Sequence, residues 1–172
     1  MPKSTVAGHP AHPQLVTIPI GLFPFSLAMD VLYGVTGQKR FSEAADLAMI
    51  GATAGAVVAA AAGAMDYLEI PDDHAAKPVA RLHGGLNLGL LGLFGANLLL
   101  RHRERPRQRW PTLLSVLGNA GLVVSAWYGG HVVYEHGVRV KSVSPIEHAP
   151  DVAPPGDELL ARALEAPISR RR

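Results

Sequence analysis

The chain has 172 residues, of which 48% are hydrophobic and only 17% are charged, and its formal net charge at pH 7 is +2. Most of the charge lies in loops and in the C-terminal part, so no nucleic-acid partner is indicated. The chain contains no cysteine, which excludes disulfides, iron–sulfur ligation by this chain and thiol catalysis.

Four long apolar stretches follow one another along the chain. They cover residues 14–35, 44–66, 82–100 and 111–134. About 20 apolar residues are enough for a helix to cross the bilayer core, and none of the stretches shows the charged stripe of a soluble helix. We therefore predict an all-α, polytopic membrane protein, in which residues 14–140 form an antiparallel bundle of four transmembrane helices with short loops in a lipid bilayer.

Proline marks the segments on either side of this bundle. Residues 1–13 contain Pro10 and Pro13 and are predicted to form a polar lead-in with a His-Pro motif. Residues 141–172 contain five further prolines and are predicted to form a partly disordered, flexible tail.

Basic residues predict the orientation of the bundle. The first and third connections carry seven of them: Lys39, Arg40, Arg101, Arg103, Arg105, Arg107 and Arg109. Five lie near the spans at the opposite end: Lys3, Lys77, Arg81, Arg139 and Lys141. Short cytoplasmic loops are enriched in Lys and Arg. We therefore expect a protein of the bacterial inner membrane, with the arginine-rich loop in the cytoplasm and both termini periplasmic or extracellular.

The second helix carries small residues at four-residue spacing, at Gly51, Gly55, Ala59 and Gly63. Small residues allow helices to approach closely where lipid already solvates apolar side chains. We therefore expect this helix to be the central and most buried one.

Most histidines and several acids are predicted to gather at the outer end of the bundle, because each crossing reverses the direction of the chain. They are His9, His12, Asp66, Glu69, His74, His83, His131, Glu135 and His136. Ionisable groups are costly in a membrane, so a shared polar pocket is a functional candidate.

Four separated motifs of this end occur in a characteristic order. They are Gly8-His9-Pro10-x-His12-Pro13 followed by Pro19-Ile20-Gly21, Gly63-x-x-Asp66-Tyr67-Leu68-Glu69-Ile70-Pro71, Arg81-x-His83 with Asn87, and Gly129-Gly130-His131-x-x-Tyr134-x-His136-Gly137-Val138. Together they resemble the domain-of-unknown-function family 2231, small bacterial four-helix membrane proteins that are sometimes fused to or encoded beside Rieske-type iron–sulfur domains. The resemblance covers about residues 8–140, and it implies the fold and a redox association but no established activity.

Histidines on two different helices suggest a b-type haem with two axial imidazoles. Glycines beside these histidines would leave bare backbone for the porphyrin, and arginines would pair with its propionates. The residues assigned to haem binding are His83, His131, Arg81, Arg139, Gly84 and Gly130. On this interpretation the chain is an accessory or electron-transfer subunit that meets a periplasmic or membrane redox protein. Alternatively, the glycines only permit close helix contact, and the histidines are hydrogen-bonded among themselves.

Two other classes of function stay open. One is a non-catalytic membrane scaffold or assembly protein, in which the histidines and acids form a hydrogen-bonded cap. The other is a metal-binding membrane enzyme or transporter, with zinc, copper or iron held by His9, His12, Glu135 and His136. Hydrolase and phosphate-binding motifs are absent from the sequence, so we do not expect the chain to be an enzyme on its own. Four short helices enclose little volume, which makes an oligomer plausible.

Local pairings can also be predicted. Asn87 lies four residues after His83 and shares its helical face, where it would fix the tautomer of the imidazole or hold helices together. Asp30 is expected to pair with Lys39 or Arg40, or else to be a buried proton-carrying acid. Asp66 and Glu69 are expected to pair with Arg81 or to orient histidines.

Overall fold

Helices make up nearly all of the computed structural model, which describes residues 5–6, 9–103 and 109–140. The elements in chain order are β1 (Thr5–Val6), β2 (His9–Pro10), α1 (Ala11–Leu15), α2 (Thr17–Thr36), α3 (Lys39–Glu69), α4 (Ala76–Arg103) and α5 (Arg109–Tyr134). Strands β1 and β2 pair antiparallel. The predicted tail, residues 141–172, and residues 104–108 of the predicted arginine-rich loop lie outside the described residues.

Four helical segments are long and apolar enough to cross a membrane. They are Ala11–Thr36, Lys39–Glu69, Ala76–Arg101 and Trp110–Tyr134. The predicted all-α, polytopic four-helix membrane bundle is therefore confirmed.

Helices extend past the apolar stretches that predicted them. The second stretch ends at residue 66, but α3 runs from Lys39 to Glu69, about 46 Å at 1.5 Å per residue against a bilayer core of about 30 Å. Its polar ends continue the helix beyond the hydrocarbon. At the N-terminus α1 begins at Ala11, and Pro13 fits in its first turn because no intrahelical N–H partner is needed there. Hydropathy thus located the spans but not the helix ends.

The helices pack in a ring in which each long helix contacts the next and α2 closes the ring against α5. Helix α3 contacts α1, α2 and α4, and its span is the most buried of the four. Ala52, Gly55 and Ala59 are among its buried residues. The prediction of a central, small-residue helix is therefore confirmed.

An apolar layer crosses the middle of the bundle. Phe23 of α2 and Phe94 of α4 stack with ring centroids 3.6 Å apart, together with Met49 and Ala52 of α3. On α5 a Cβ at Gly118 would lie 2.5 Å from the Phe94 ring, so only glycine fits there. The layer separates two polar regions. We call them the histidine end, where α3 and α5 finish and α4 begins, and the arginine end, where α2 and α4 finish and α3 and α5 begin.

Candidate functional site

His12 of α1 lies against α3 at the histidine end. Its Nδ1 is 2.8 Å from the carbonyl oxygen of Ala59, four residues before Gly63. A Cβ on Gly63 would lie 2.9 Å from Cε1 of the imidazole, so the ring fits only because this residue is glycine. A carbonyl oxygen can only accept, so Nδ1 carries a proton, and in a neutral imidazole Nε2 then carries the lone pair.

His83 of α4 repeats this arrangement against α5. Its Nδ1 is 2.9 Å from the carbonyl oxygen of Ser125, four residues before Gly129. A Cβ on Gly129 would lie 2.8 Å from Cε1 of the imidazole. Asn87 donates through Nδ2 to the His83 carbonyl at 2.9 Å and lies 3.2 Å from Nε2 of the imidazole. His83 is therefore also held with the proton on Nδ1, and Asn87 contacts it as its spacing predicted.

These two imidazoles, one on α1 and one on α4, lie close together. Their ring centroids are 6.4 Å apart, and their planes are inclined by 79°. We call His12 and His83 the imidazole pair. The sequence interpretation had placed them in different candidate sites. In the structure both rings lie against the same pattern on the facing helix: a small residue whose carbonyl accepts from Nδ1, and a glycine four positions later.

His131 and His136 form a second couple on the flank of α5. The His131 ring stacks on Trp127 with centroids 5.5 Å apart, and Trp127 is 64% exposed. Helix α5 ends at Tyr134 and the chain turns at Gly137, which has a φ of +63°. This turn brings the ring centroid of His136 to 5.3 Å from that of His131. The structure thus joins His131 with His136, and His83 with His12.

Other residues assigned to haem binding lie apart from the imidazoles or have partners of their own. Arg139 forms ion pairs with Asp66 at 2.9 Å and Glu69 at 2.7 Å. It therefore takes the place expected for Arg81, whose Nε instead lies 3.4 Å from the Tyr67 hydroxyl. A Cβ on Gly84 would meet no described atom within 4 Å, and one on Gly130 would meet only the Tyr134 ring. The glycines that do lie against imidazoles are Gly63 and Gly129.

The four residues assigned to a metal site do not come together. His9 lies exposed on β2 and Glu135 is exposed after α5, whereas His12 is half-buried in the bundle. Among the described residues, no three His, Asp or Glu side chains are close enough to hold a metal ion. His136 is the remaining member, and its Nε2 is buried without a hydrogen-bond partner in the described part of the chain.

A charged network occupies the arginine end. Arg101 of α4 pairs with Asp30 of α2 and lies 3.5 Å from Asp46 of α3. It also donates to Asn97 Oδ1 and to Ser115 Oγ, both at 3.0 Å. The expected partners of Asp30 were therefore wrong, and Lys39 instead pairs with Glu43 at 3.3 Å. The sequence interpretation missed Arg101 because it counted this residue as part of the basic loop.

Comparison with known families identifies the chain. The family DUF2231, described as predicted membrane proteins, matches residues 8–142. The chain belongs to the DUF2231 family. No curated protein and no solved structure matches it.

The imidazole pair is the arrangement in this DUF2231 protein best suited to bind a ligand. Each ring donates Nδ1–H to a backbone carbonyl and so keeps a lone pair on Nε2, as in histidines that bind metals. Each bond joins two helices, α1 to α3 and α4 to α5. The ring positions are therefore fixed by the bundle.

Proposed function

We propose that this DUF2231 protein is a membrane-embedded accessory or electron-transfer subunit that holds b-type haem between His12 and His83. The observation that carries the proposal is the 6.4 Å separation of the two ring centroids. With metal–imidazole bonds of about 2.0–2.1 Å, the centroids of two imidazoles on opposite sides of one metal lie about 6 Å apart. Rings that share one ligand axis can take any mutual angle around it, so the inclination of 79° is compatible.

Support also comes from the groups behind the two imidazoles. The carbonyls of Ala59 and Ser125 accept from Nδ1, which orients each ring and increases the basicity of Nε2. We assign the second haem ligand to His12 instead of His131, because His131 stacks on the exposed Trp127.

The surroundings of the imidazole pair suit a redox group. Ala56 and Leu122 pack on the apolar core, one helical turn from Ala59 and Ser125 respectively. The imidazole pair therefore lies next to the apolar core of the bundle, and burial is one of the factors that set a haem potential. Bound haem would supply one-electron redox chemistry, while the chain positions it and excludes water.

A non-catalytic scaffold is the second candidate, and the position of Asn87 favours it. The Asn87 amide lies 3.2 Å from Nε2 of His83 and can donate to its lone pair. Both imidazoles already link two helices. In this function the histidines only hold the bundle together, whereas a haem would require Asn87 to release Nε2.

Absorbance spectra test the proposal. The full chain is expressed with added haem precursor, purified in detergent and mixed with one equivalent of haemin. We expect a Soret band and a reduced-minus-oxidised spectrum corresponding to one haem per chain. His12→Ala and His83→Ala should each abolish these signals.

Two histidine variants are matched controls. His131→Ala and His136→Ala should keep the spectrum of the unchanged chain. A folded, colourless protein that does not bind added haemin would overturn the haem proposal and favour the scaffold. Loss of the spectrum in His131→Ala, with retention in His12→Ala, would refute the ligand assignment.

A further inference from the structure

A groove runs along the outside of the bundle between α4 and α5. Its volume is about 710 Å³, and it is open outward with almost wholly apolar walls. Residues that line it include Arg81, Gly85, Gly89 and Leu93 of α4, and Gly121 and Val124 of α5. On α4 it extends from Pro78 to Leu93, which is about 22 Å along the helix axis.

Two glycines form the floor of this groove. A Cβ on Gly85 or Gly89 would meet no described atom within 4 Å. Small residues in membrane helices usually allow another helix to approach, and Gly121 does so, since its Cβ would lie 2.5 Å from Leu90. Gly85 and Gly89 face open space instead, so their missing side chains leave room for a ligand.

Arg81 lies at the end of the groove nearest the histidine end. The other lysine and arginine that the structure describes at this end are paired: Lys77 lies 3.2 Å from Asp72, and Arg139 lies 2.7 Å from Glu69. Arg81 is exposed and donates from Nε to the Tyr67 hydroxyl at 3.4 Å. Within the described residues no carboxylate lies within 4.0 Å of its guanidinium, so both terminal nitrogens can bind an anion.

We propose that this groove binds an anionic phospholipid, with the phosphate at Arg81 and an acyl chain over Gly85 and Gly89. A guanidinium binds phosphate through two parallel hydrogen bonds. Half of the bilayer core is about 15 Å thick, so a groove of about 22 Å holds a chain that passes from the headgroup region through one leaflet. A guanidinium with no carboxylate within 4.0 Å in the described part of the chain, at one end of an apolar channel, matches the two parts of this ligand.

Lipid titration of the purified full chain tests the site. Native mass spectrometry compares dioleoylphosphatidylglycerol with dioleoylphosphatidylcholine. We expect the anionic lipid to bind about tenfold more tightly, because phosphatidylcholine has the same phosphate but its trimethylammonium group cancels the net charge that attracts Arg81. Arg81→Gln should remove this preference, and Gly89→Leu should prevent binding of both lipids by filling the groove.

Matched variants distinguish a change in the groove from the general effects of a larger side chain or a removed positive charge. Gly84→Leu and Gly92→Leu add the same side chain at positions of α4 that also have open space but do not line the groove. Arg40→Gln removes one positive charge at the opposite end. All three should bind both lipids as the unchanged chain does. If Gly89→Leu does not fold, Gly85→Leu and Arg81→Gln provide the same test.

Three results would overturn the proposal. They are equal affinity for the two lipids, an unchanged preference in Arg81→Gln, and a change from dimer to monomer in Gly89→Leu. The last result would show that a second copy of the chain covers the groove. None of these variants alters the imidazole pair, so the haem spectrum and lipid binding can succeed or fail separately.

Discussion

Arg101 and Asp30 form an ion pair in the interior of the bundle, although 71 residues separate them in the chain. Their side chains are only 2% and 1% exposed. Charges at membrane depth are costly unless they are paired and hydrogen-bonded. Asn97 and Ser115 supply further hydrogen bonds to the guanidinium. The pair thus helps to fix how the helices meet at the arginine end.

Asp30→Asn should strongly destabilise the protein. It leaves the buried guanidinium without its closest counter-ion, a change that typically costs about 3–5 kcal/mol. Asp46→Asn is the matched control, because Asp46 lies 3.5 Å from Arg101 and its side chain is 13% exposed. The stability lost in Asp46→Asn should be clearly smaller than in Asp30→Asn. The free energy of unfolding in detergent measures both, and equal losses would contradict the central role of Asp30.

A double-mutant cycle completes this test. Combining Asp30→Asn with Arg101→Gln removes both charges, so neither is left buried alone. The double variant should lose less stability than the two single variants together. Simple additivity would mean that the two side chains do not interact in the membrane.

Hydropathy and motif order were enough to predict the four spans, the family and the gathering of His12, His83 and Asp66 at one end. They did not predict which side chains meet. Partner choice depends on how each helix is rotated and how deep each residue lies, and neither follows from the pattern within one helix. Arg101 shows this limit. It opens a run of alternating arginines but still faces inward, four residues after Asn97.

Glycine positions show the same limit. Gly84 and Gly130 are adjacent in sequence to histidines and were therefore assigned to the site. The glycines that accommodate the imidazoles, Gly63 and Gly129, lie on the facing helices α3 and α5. Only the packing of helices identifies such pairs.

Gly129→Ala should destabilise the histidine end by about 1–3 kcal/mol, the usual cost of an extra methyl group in a packed interior. The added Cβ would lie 2.8 Å from the His83 imidazole and force the ring away from Ser125. Gly130→Ala is the neighbouring control, since its Cβ would approach the Tyr134 ring only to 3.7 Å. That change should be neutral or slightly stabilising, because alanine favours helix.

Unfolding free energies of the two alanine variants measure the difference. Gly63→Ala repeats the test on the other imidazole, because its Cβ would lie 2.9 Å from His12. If Gly129→Ala and Gly130→Ala were equally stable, the close contact of His83 with α5 would not exist in the membrane.

Labelling of single cysteines should establish the orientation. The chain contains no native cysteine, so one can be introduced at Asp73, exposed at the histidine end, or at Gln38, exposed at the arginine end. We expect a membrane-impermeant maleimide to label Asp73→Cys in intact cells, and Gln38→Cys only after permeabilisation. The reason is the excess of Lys and Arg in the short connections of the arginine end.

The ion pair of Arg101 reduces the number of free basic residues on which the predicted orientation depends. Arg101 is buried against Asp30 and is no longer a free loop charge, so the basic excess rests on Lys39, Arg40 and the arginines at 103–109. Replacing Lys39 and Arg40 with glutamine should therefore increase the fraction of chains with inverted labelling. If Gln38→Cys were instead the residue labelled in intact cells, the histidine end would face the cytoplasm, and any redox partner of the imidazole pair would have to be cytoplasmic.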